Sequence, residues 1–103
     1  MKKSIKQINL EKEILAMLPG KSRSVAEYIF ADAEVAALQE YANIVSIKRL
    51  GYNDHGPVHM RKAAKNAMQM FELLIKAKVR LNLEKEEIAT NEDSRIAILI
   101  AAL

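Results

Sequence analysis

Apolar side chains recur along most of this 103-residue chain at the spacing of one face of a helix. The first predicted helix begins at Ser4, because Ser4 and Gln7 match a capping box whose hydroxyl and amide satisfy free backbone donors. Apolar residues follow at roughly helical spacing, and Pro19 and Gly20 predict the end of the helix. No stretch of the sequence shows the strict alternation of a strand, so the pattern favours helix throughout.

A second capping box, from Ser24 to Glu27, predicts a long helix that runs to about Leu50. Acidic residues lie early in this stretch and basic residues lie late, as the helix dipole favours. Gly51 can adopt the left-handed conformation that ends a helix. Because the stretch is apolar on most of its circumference, this helix is expected to lie centrally in the fold.

A third helix is predicted from Pro57 to about Leu81, because proline fits the first helical turn, where its missing N–H costs nothing. The side predicted to face the core consists of Met60, Ala64, Ala67, Phe71, Leu74 and Ile75. The side predicted to face solvent consists of Arg61, Lys65, Gln69, Glu72 and Lys76. A polar connector with room for one helical turn then spans Leu83 to Ala89.

The last helix is predicted to start at a further capping box, from Thr90 to Asp93. Together these elements predict an all-α fold, a bundle of four to five helices in a single domain over residues 1–103. The final stretch, Ile96 to Leu103, is apolar on every side of a helix. A charged terminus on such a buried helix would be costly. We therefore expect the natural protein to continue, and the exposed apolar surface of this helix predicts a homo-oligomer.

Composition narrows the class of protein. Half of the residues are apolar and 28% are charged, which is globular composition. The net charge is +3, but bases and acids are interspersed and only two Phe and three Tyr are available for stacking, so nucleic-acid binding is not favoured. The absence of cysteine excludes disulfides and thiolate metal sites and fits a reducing compartment. With no signal peptide and no apolar run long enough to span a bilayer, we expect a cytoplasmic protein without membrane partners.

Both histidines of the sequence lie in one short segment, from Asp54 to His59. Imidazole nitrogen and carboxylate oxygen are ligands that suit zinc, manganese or iron. His59 falls in the first turn of the third predicted helix, at the edge of the apolar stripe, from where it is expected to face a cleft. His55 precedes the helix, and Asp54 could orient an imidazole ring through a hydrogen bond.

These residues also have a simpler interpretation. Asp54 or His55 could cap the third helix, and His59 could be an ordinary first-turn histidine. Two histidines do not by themselves make a site of three or four ligands. Arg61 and Lys62, next to the histidines, could contact substrate phosphates, although solvated bases in a first turn are the commoner case.

The segment from Gly51 to His59, followed by a helix rich in alanine, resembles the opening motif of the HD superfamily of metal-dependent phosphohydrolases. The resemblance implies a partial HD-domain-like bundle in which His59 is the first metal ligand. By position, His55 and Asp54 match the variable flank of the motif, where the resemblance allows a role beside the metal or the substrate, and His55 is a candidate additional ligand. In that family a His-Asp doublet and a distant Asp complete the metal site. The stretch from Glu92 to Leu103 is similar to the helix that leads into the doublet, and the sequence ends about where the doublet is expected.

A complete protein of this kind would hydrolyse a phosphoester or phosphoanhydride, in a phosphorylated small molecule or nucleotide, with a divalent ion such as Mn, Fe, Zn or Mg. This chain lacks most of the ligands, so it is expected to bind metal weakly or not at all and to be inactive alone. Two alternatives stay open from the residues themselves. One is a small helical protein-interaction domain, and the other is a basic helical nucleic-acid-binding domain.

Overall fold

The computed structural model describes residues 3–49, 51 and 56–103, and this part of the chain is helical, without a strand. Its helices are α1 (Ile5–Met17), α2 (Gly20–Ala31), α3 (Ala33–Ile44), α4 (Pro57–Lys76), α5 (Asn82–Lys85) and α6 (Asn91–Ala102). A π-helical turn, Val45–Arg49, extends α3. The prediction of an all-α fold is confirmed, with six α-helices in the described residues where four to five were expected.

Helix α1 begins at the predicted cap, Ser4, but only one half of the predicted capping box is present, because the side-chain amide of Gln7 donates to Glu11 at 3.4 Å. The backbone N–H of Gln7 donates to the hydroxyl of Ser4 at 3.1 Å, and the helix ends after Met17, ahead of Pro19. Its buried side, Leu10 and Ile14, faces the interior. Local capping chemistry alone therefore fixed both ends of this element.

The prediction of one long second helix is wrong. Ser24 lies inside α2, and the helix is interrupted at Asp32, whose backbone is extended (φ −79°, ψ 118°). The carboxylate of Asp32 accepts a hydrogen bond from the backbone N–H of Val35 at 3.0 Å, so it caps α3. An aspartate that bonds to the backbone in this way competes with an uninterrupted helix. Two helices result, α2 and α3, with the extended residue Asp32 between them.

Helix α3 lies at the periphery of the fold, although a central position was expected. Gln39 is the only residue of α3 that is buried. Leu38 and Tyr41 are about three-fifths exposed. Apolar residues on several sides of a helix do not show which side packs inward, and here the tertiary contacts leave most of them outside. Gly51 adopts the left-handed conformation predicted for it, with φ +68°.

Helix α4 is the longest element and begins at Pro57, as predicted. Ala64, Met68 and Phe71 form its buried side, which confirms two positions of the predicted stripe. Arg61, predicted to face solvent, is also buried. The helix ends at Lys76 rather than near Leu81. Lys78 then takes a left-handed conformation that turns the chain towards α5.

The core lies where α1, α2, α4 and α6 meet. Its buried cluster consists of Ile14, Leu18, Ala26, Phe30, Ala64, Met68 and Leu99. The apolar end of α6 contributes Leu99 fully and Leu103 partly, so part of that stretch is covered within the chain. No helix of the described residues is both long enough and apolar enough to cross a membrane.

The capping box of α6 is present as predicted. The backbone N–H of Asp93 donates to Oγ1 of Thr90 at 3.2 Å, while the backbone N–H and hydroxyl of Thr90 donate to Oδ2 of Asp93 at 3.1 and 3.0 Å. The hydrogen bond from the backbone N–H of Thr90, and to a smaller extent the one from its hydroxyl, hold the pKa of Asp93 below its ordinary value, although burial opposes the shift. The carboxylate form of Asp93 therefore stabilises the folded state.

Replacing Asp93 with asparagine is expected to destabilise the protein near neutral pH and much less in acid. A carboxyl whose pKa falls on folding contributes stability above its unfolded-state pKa, and this stability is lost as the pH falls through the folded-state pKa. Urea unfolding of both proteins, near neutral pH and below the ordinary pKa of aspartate, measures the difference. Glu86→Gln, an exposed change in the α5–α6 connector, is the control. An equal difference at both pH values would contradict this role of Asp93.

Candidate functional site

The start of α4 positions the residues that the sequence singled out. Gly56, buried and with an extended backbone, precedes Pro57 at the first position of the helix. His59 follows in the first turn, as predicted, and its side chain is exposed. The described residues therefore do not enclose His59 in a cleft. His55 and Asp54, the additional ligand and its predicted partner, lie outside the described residues.

Arg61 lies in the interior rather than at a substrate-facing surface. Its side chain is 2% exposed. Its Nε donates to Oε2 of Glu11 at 2.7 Å, and its Nη1 donates to Oε1 of Gln39 at 3.0 Å. The guanidinium also lies over the ring of Phe30, 5.0 Å from its centroid. A buried charge needs such partners, so these bonds explain how an arginine can occupy the core face of α4.

The network around Arg61 fixes the start of α4. Nη1 of Arg61 also donates to the backbone carbonyl of Pro57 at 3.1 Å. Lys3 completes the pairing of Glu11, because its Nζ donates to Oε1 at 2.7 Å and to the carbonyl of Phe30 at the same distance. Helices α1, α3 and α4 are thereby tied together one turn from the exposed imidazole. Arg61 therefore holds the turn that presents His59.

Lys62 lies on the same side of α4 as His59, because residues three apart are neighbours on a helix. The ammonium group of Lys6, on α1, lies beside that of Lys62. It can donate a hydrogen bond to the neutral amine of Lys62 and it repels the charged form, and both effects lower the pKa of Lys62. Neither lysine has a carboxylate partner within the described residues. Two adjacent, unpaired ammonium groups are arranged to receive an anion, whose charge would relieve their repulsion.

Sequence reasoning did not find Lys6 or Glu11. Glu11 is 50 positions from Arg61 along the chain, and Lys6 meets Lys62 only because α1 packs beside α4. No spacing pattern links residues on two separate helices. Lys62 was singled out by its place beside the histidines, whereas Lys6 and the buried acid could be identified only from the packing.

The described residues hold part of a metal site at most. Among residues 3–49, 51 and 56–103, no three His, Asp or Glu side chains are close enough together to hold a metal ion. His59 can offer one imidazole nitrogen, a donor that suits Zn, Mn and Fe. One such donor does not hold a divalent ion firmly, so any complete site needs ligands beyond these residues.

Comparison with known proteins shows a relative of this chain. An uncharacterized protein of Methanocaldococcus jannaschii is 30% identical over 94 residues, which are 91% of this chain and 36% of that protein. The chain thus spans about a third of the length of the relative that it matches. No family model matches the chain, and no solved structure matches it. The similarity carries no activity to this chain, since the relative is described only as uncharacterized.

Proposed function

We propose that this chain is the N-terminal portion of a metal-dependent phosphohydrolase of the HD type, with His59 as its first metal ligand. The observation that supports the proposal is the position of His59. The segment that resembles the family's opening motif leads directly into α4, and His59 falls in the first turn with an exposed imidazole. An imidazole in that position is accessible to an ion held partly by other ligands.

The residues present fit only part of such a site. In the complete enzyme a divalent ion (Mn, Fe, Zn or Mg) would polarise the phosphoryl group and lower the pKa of an attacking water. The sequence has two histidines, at positions 55 and 59, and no His-Asp doublet follows them. This chain alone therefore does not supply the ligands that a catalytic step would need. It is expected to bind metal weakly and to lack phosphohydrolase activity.

The lysine pair beside His59 fits the proposed substrate class. Lys6 and Lys62 lie unpaired on the surface next to the first turn of α4. Phosphate oxygens would accept hydrogen bonds from both ammonium groups. We infer that a phosphorylated small molecule or nucleotide places its phosphate here. Arg61 supports the same site from inside, by holding the turn rather than by meeting the phosphate.

Paramagnetic Mn²⁺ offers a sensitive test of the metal proposal, because it broadens nearby amide resonances even when it binds weakly. We expect substoichiometric Mn²⁺ to broaden the resonances of the first turn of α4 in the ¹⁵N-labelled chain, and His59→Ala to remove that broadening. Glu86→Ala, at an exposed acid far along the chain, is the control for non-specific binding. Hydrolysis of a chromogenic aryl phosphate by the same samples should stay at the background rate.

Two results would contradict the proposal. One is broadening that is confined to other acidic surfaces or that persists unchanged in His59→Ala. The other is firm metal binding with turnover by the 103-residue chain, which would show a complete site in residues thought to hold only part of one. Each result is distinct from loss of folding, which circular dichroism of the variant reports separately.

A small helical protein-interaction domain is the second candidate function. The observation that favours it is the apolar surface of α3, where Leu38 and Tyr41 are 62% and 60% exposed. Under either function we propose a cytoplasmic location, in keeping with the absence of cysteine. Self-association through α6 also stays a prediction, and the exposed residue that bears on it is Ile100.

A further inference from the structure

Helix α3 exposes a row of large apolar side chains. Leu38, Tyr41 and Ile44 are 62%, 60% and 44% exposed; we call them the α3 face. The opposite side of the helix holds Gln39, which is buried in the network of Arg61. The α3 face is therefore the outer side of a helix whose inner side is already packed.

The chain exposes more surface than its mass requires. Its accessible surface is 6923 Å² for 11.6 kDa, whereas a compact monomer of that mass exposes about 5,800 Å². Its radius of gyration is 14.9 Å, against about 12.8 Å expected for a compact domain of this length. The excess area, about 1,100 Å², is similar to what one partner buries in a standard interface, about 800 Å².

Charges at the two ends of the α3 face have opposite signs. Glu34 lies near the start of α3, and Lys48 and Arg49 lie in the π-helical turn after its end. All three side chains are exposed, and none has an ion-pair partner within the part of the chain that the structure describes. An acid at one end and bases at the other make this surface complementary to itself when it is reversed.

We propose that the α3 face binds the α3 face of a second copy of this chain in an antiparallel arrangement, with the two-fold axis at Tyr41. Leu38 and Ile44 are each three positions from Tyr41, so the axis places Leu38 of one copy opposite Ile44 of the other. Glu34 and Lys48 are each seven positions from Tyr41, so they also meet across the axis. Apolar residues thus face apolar residues, acids face bases, and the helix dipoles run in opposite directions.

The exposed apolar residues that the structure describes on α4 and α6 lack this symmetry. Met70 and Leu73, near the end of α4, are 64% and 66% exposed. The charges that follow them are basic, and the neighbouring acid, Glu72, is already paired with Arg95 at 2.7 Å. On α6, the exposed large apolar residue is Ile100. Of these three surfaces, as far as the described residues show, it is the α3 face that combines a row of apolar side chains with unpaired charges of both signs.

The oligomeric state of the 103-residue chain tests this interface without reference to the proposed phosphohydrolase function. Sedimentation velocity over a range of concentrations should show a monomer–dimer equilibrium. Tyr41→Glu places two like charges at the axis and should weaken dimerisation more than tenfold, since opposed like charges cost several kcal/mol. Tyr28→Glu, at a tyrosine of α2 that is 71% exposed, is the matched control and should leave the equilibrium unchanged.

A charge exchange tests the antiparallel register. Glu34→Lys and Lys48→Glu should each weaken the dimer, because each brings like charges together across the axis. The double variant restores opposite charges and should recover most of the affinity of the unchanged chain. All of these residues are exposed, so the variants should keep their folded helical content by circular dichroism.

Three outcomes would overturn the proposal. A chain that stays monomeric at millimolar concentration would show that something other than a second copy covers the α3 face. A dimer that Ile100→Glu abolishes and Tyr41→Glu leaves intact would move the interface to α6. A double charge variant that dimerises no better than either single variant would exclude the antiparallel register.

Discussion

Replacing Arg61 with methionine is expected to lower the free energy of unfolding by about 3 kcal/mol or more, because it leaves a buried carboxylate without its main partner. The guanidinium is 2.7 Å from Glu11 and 3.0 Å from Gln39, and both acceptors are buried. Lys3 still pairs with the other oxygen of Glu11, so we expect the lower part of the range of about 3–5 kcal/mol for breaking a buried pair. Urea unfolding followed by circular dichroism measures the change.

A half-exposed ion pair between the same two helices supplies the control for Arg61. Lys65 pairs with Glu13 at 2.8 Å, with side chains 31% and 51% exposed. Lys65→Met should therefore cost about 1 kcal/mol or less. A double variant, Glu11→Met with Arg61→Met, removes both buried charges and should cost less than the sum of the single changes. Equal losses from Arg61→Met and Lys65→Met would contradict the importance assigned to the buried network.

Replacing Phe71 with alanine is expected to lower the free energy of unfolding by about 3–5 kcal/mol, because it opens a cavity between α4 and α6. Phe71 is 1% exposed. The guanidinium of Arg95, on α6, lies 5.1 Å from the centre of its ring, and this cation–π contact adds up to about 1 kcal/mol. The loss is a large fraction of the about 5–15 kcal/mol that stabilises a typical domain. Urea unfolding again measures it.

The matched control for Phe71 lies on the same helix. Leu73 is 66% exposed, so Leu73→Ala removes little buried surface and should change stability by about 0.5 kcal/mol or less. Both variants exchange an apolar residue for alanine, which has the highest helix propensity, so helix formation itself is not weakened. If the two variants unfolded at the same urea concentration, the packing of α4 against α6 described above would be wrong.

Capping chemistry made several helix ends predictable from the sequence. The starts of α1, α4 and α6 are marked by Ser4, Pro57 and Thr90. The side chains of Ser4 and Thr90 accept hydrogen bonds from backbone N–H groups of the first turn, and Pro57 lacks an N–H that would have no partner there. A bond of equally short range explains why the prediction of one long helix failed at Asp32. Its carboxylate also acts within one turn, but it interrupts a stretch whose composition favours helix on both sides. The pattern of apolar residues gave no sign of that interruption.

The sequence singled out His59 and Lys62 of the candidate site, but not the side chains that surround them. His59 occupies the first turn of α4 because Pro57 begins the helix. The buried position of Arg61 depends on Glu11, and the lysine pair depends on Lys6. Both of those partners belong to α1, far from α4 in sequence. The periodicity of the sequence placed Arg61 on the polar side of α4, because a charged side chain is expected to be exposed unless a partner for it is known.

The sequence by itself determined that this protein is helical, where α1, α4 and α6 begin, and that His59 lies in the first turn of a helix. Those properties depend on interactions within one or two turns, which the order of residues specifies directly. Only the tertiary structure decided that α3 lies outside the core, that Arg61 of α4 is buried in the core, and that Lys6 lies beside Lys62. Each of these depends on which helices pack together, and burial of a charge or exposure of an apolar row is set by partners distant in the chain.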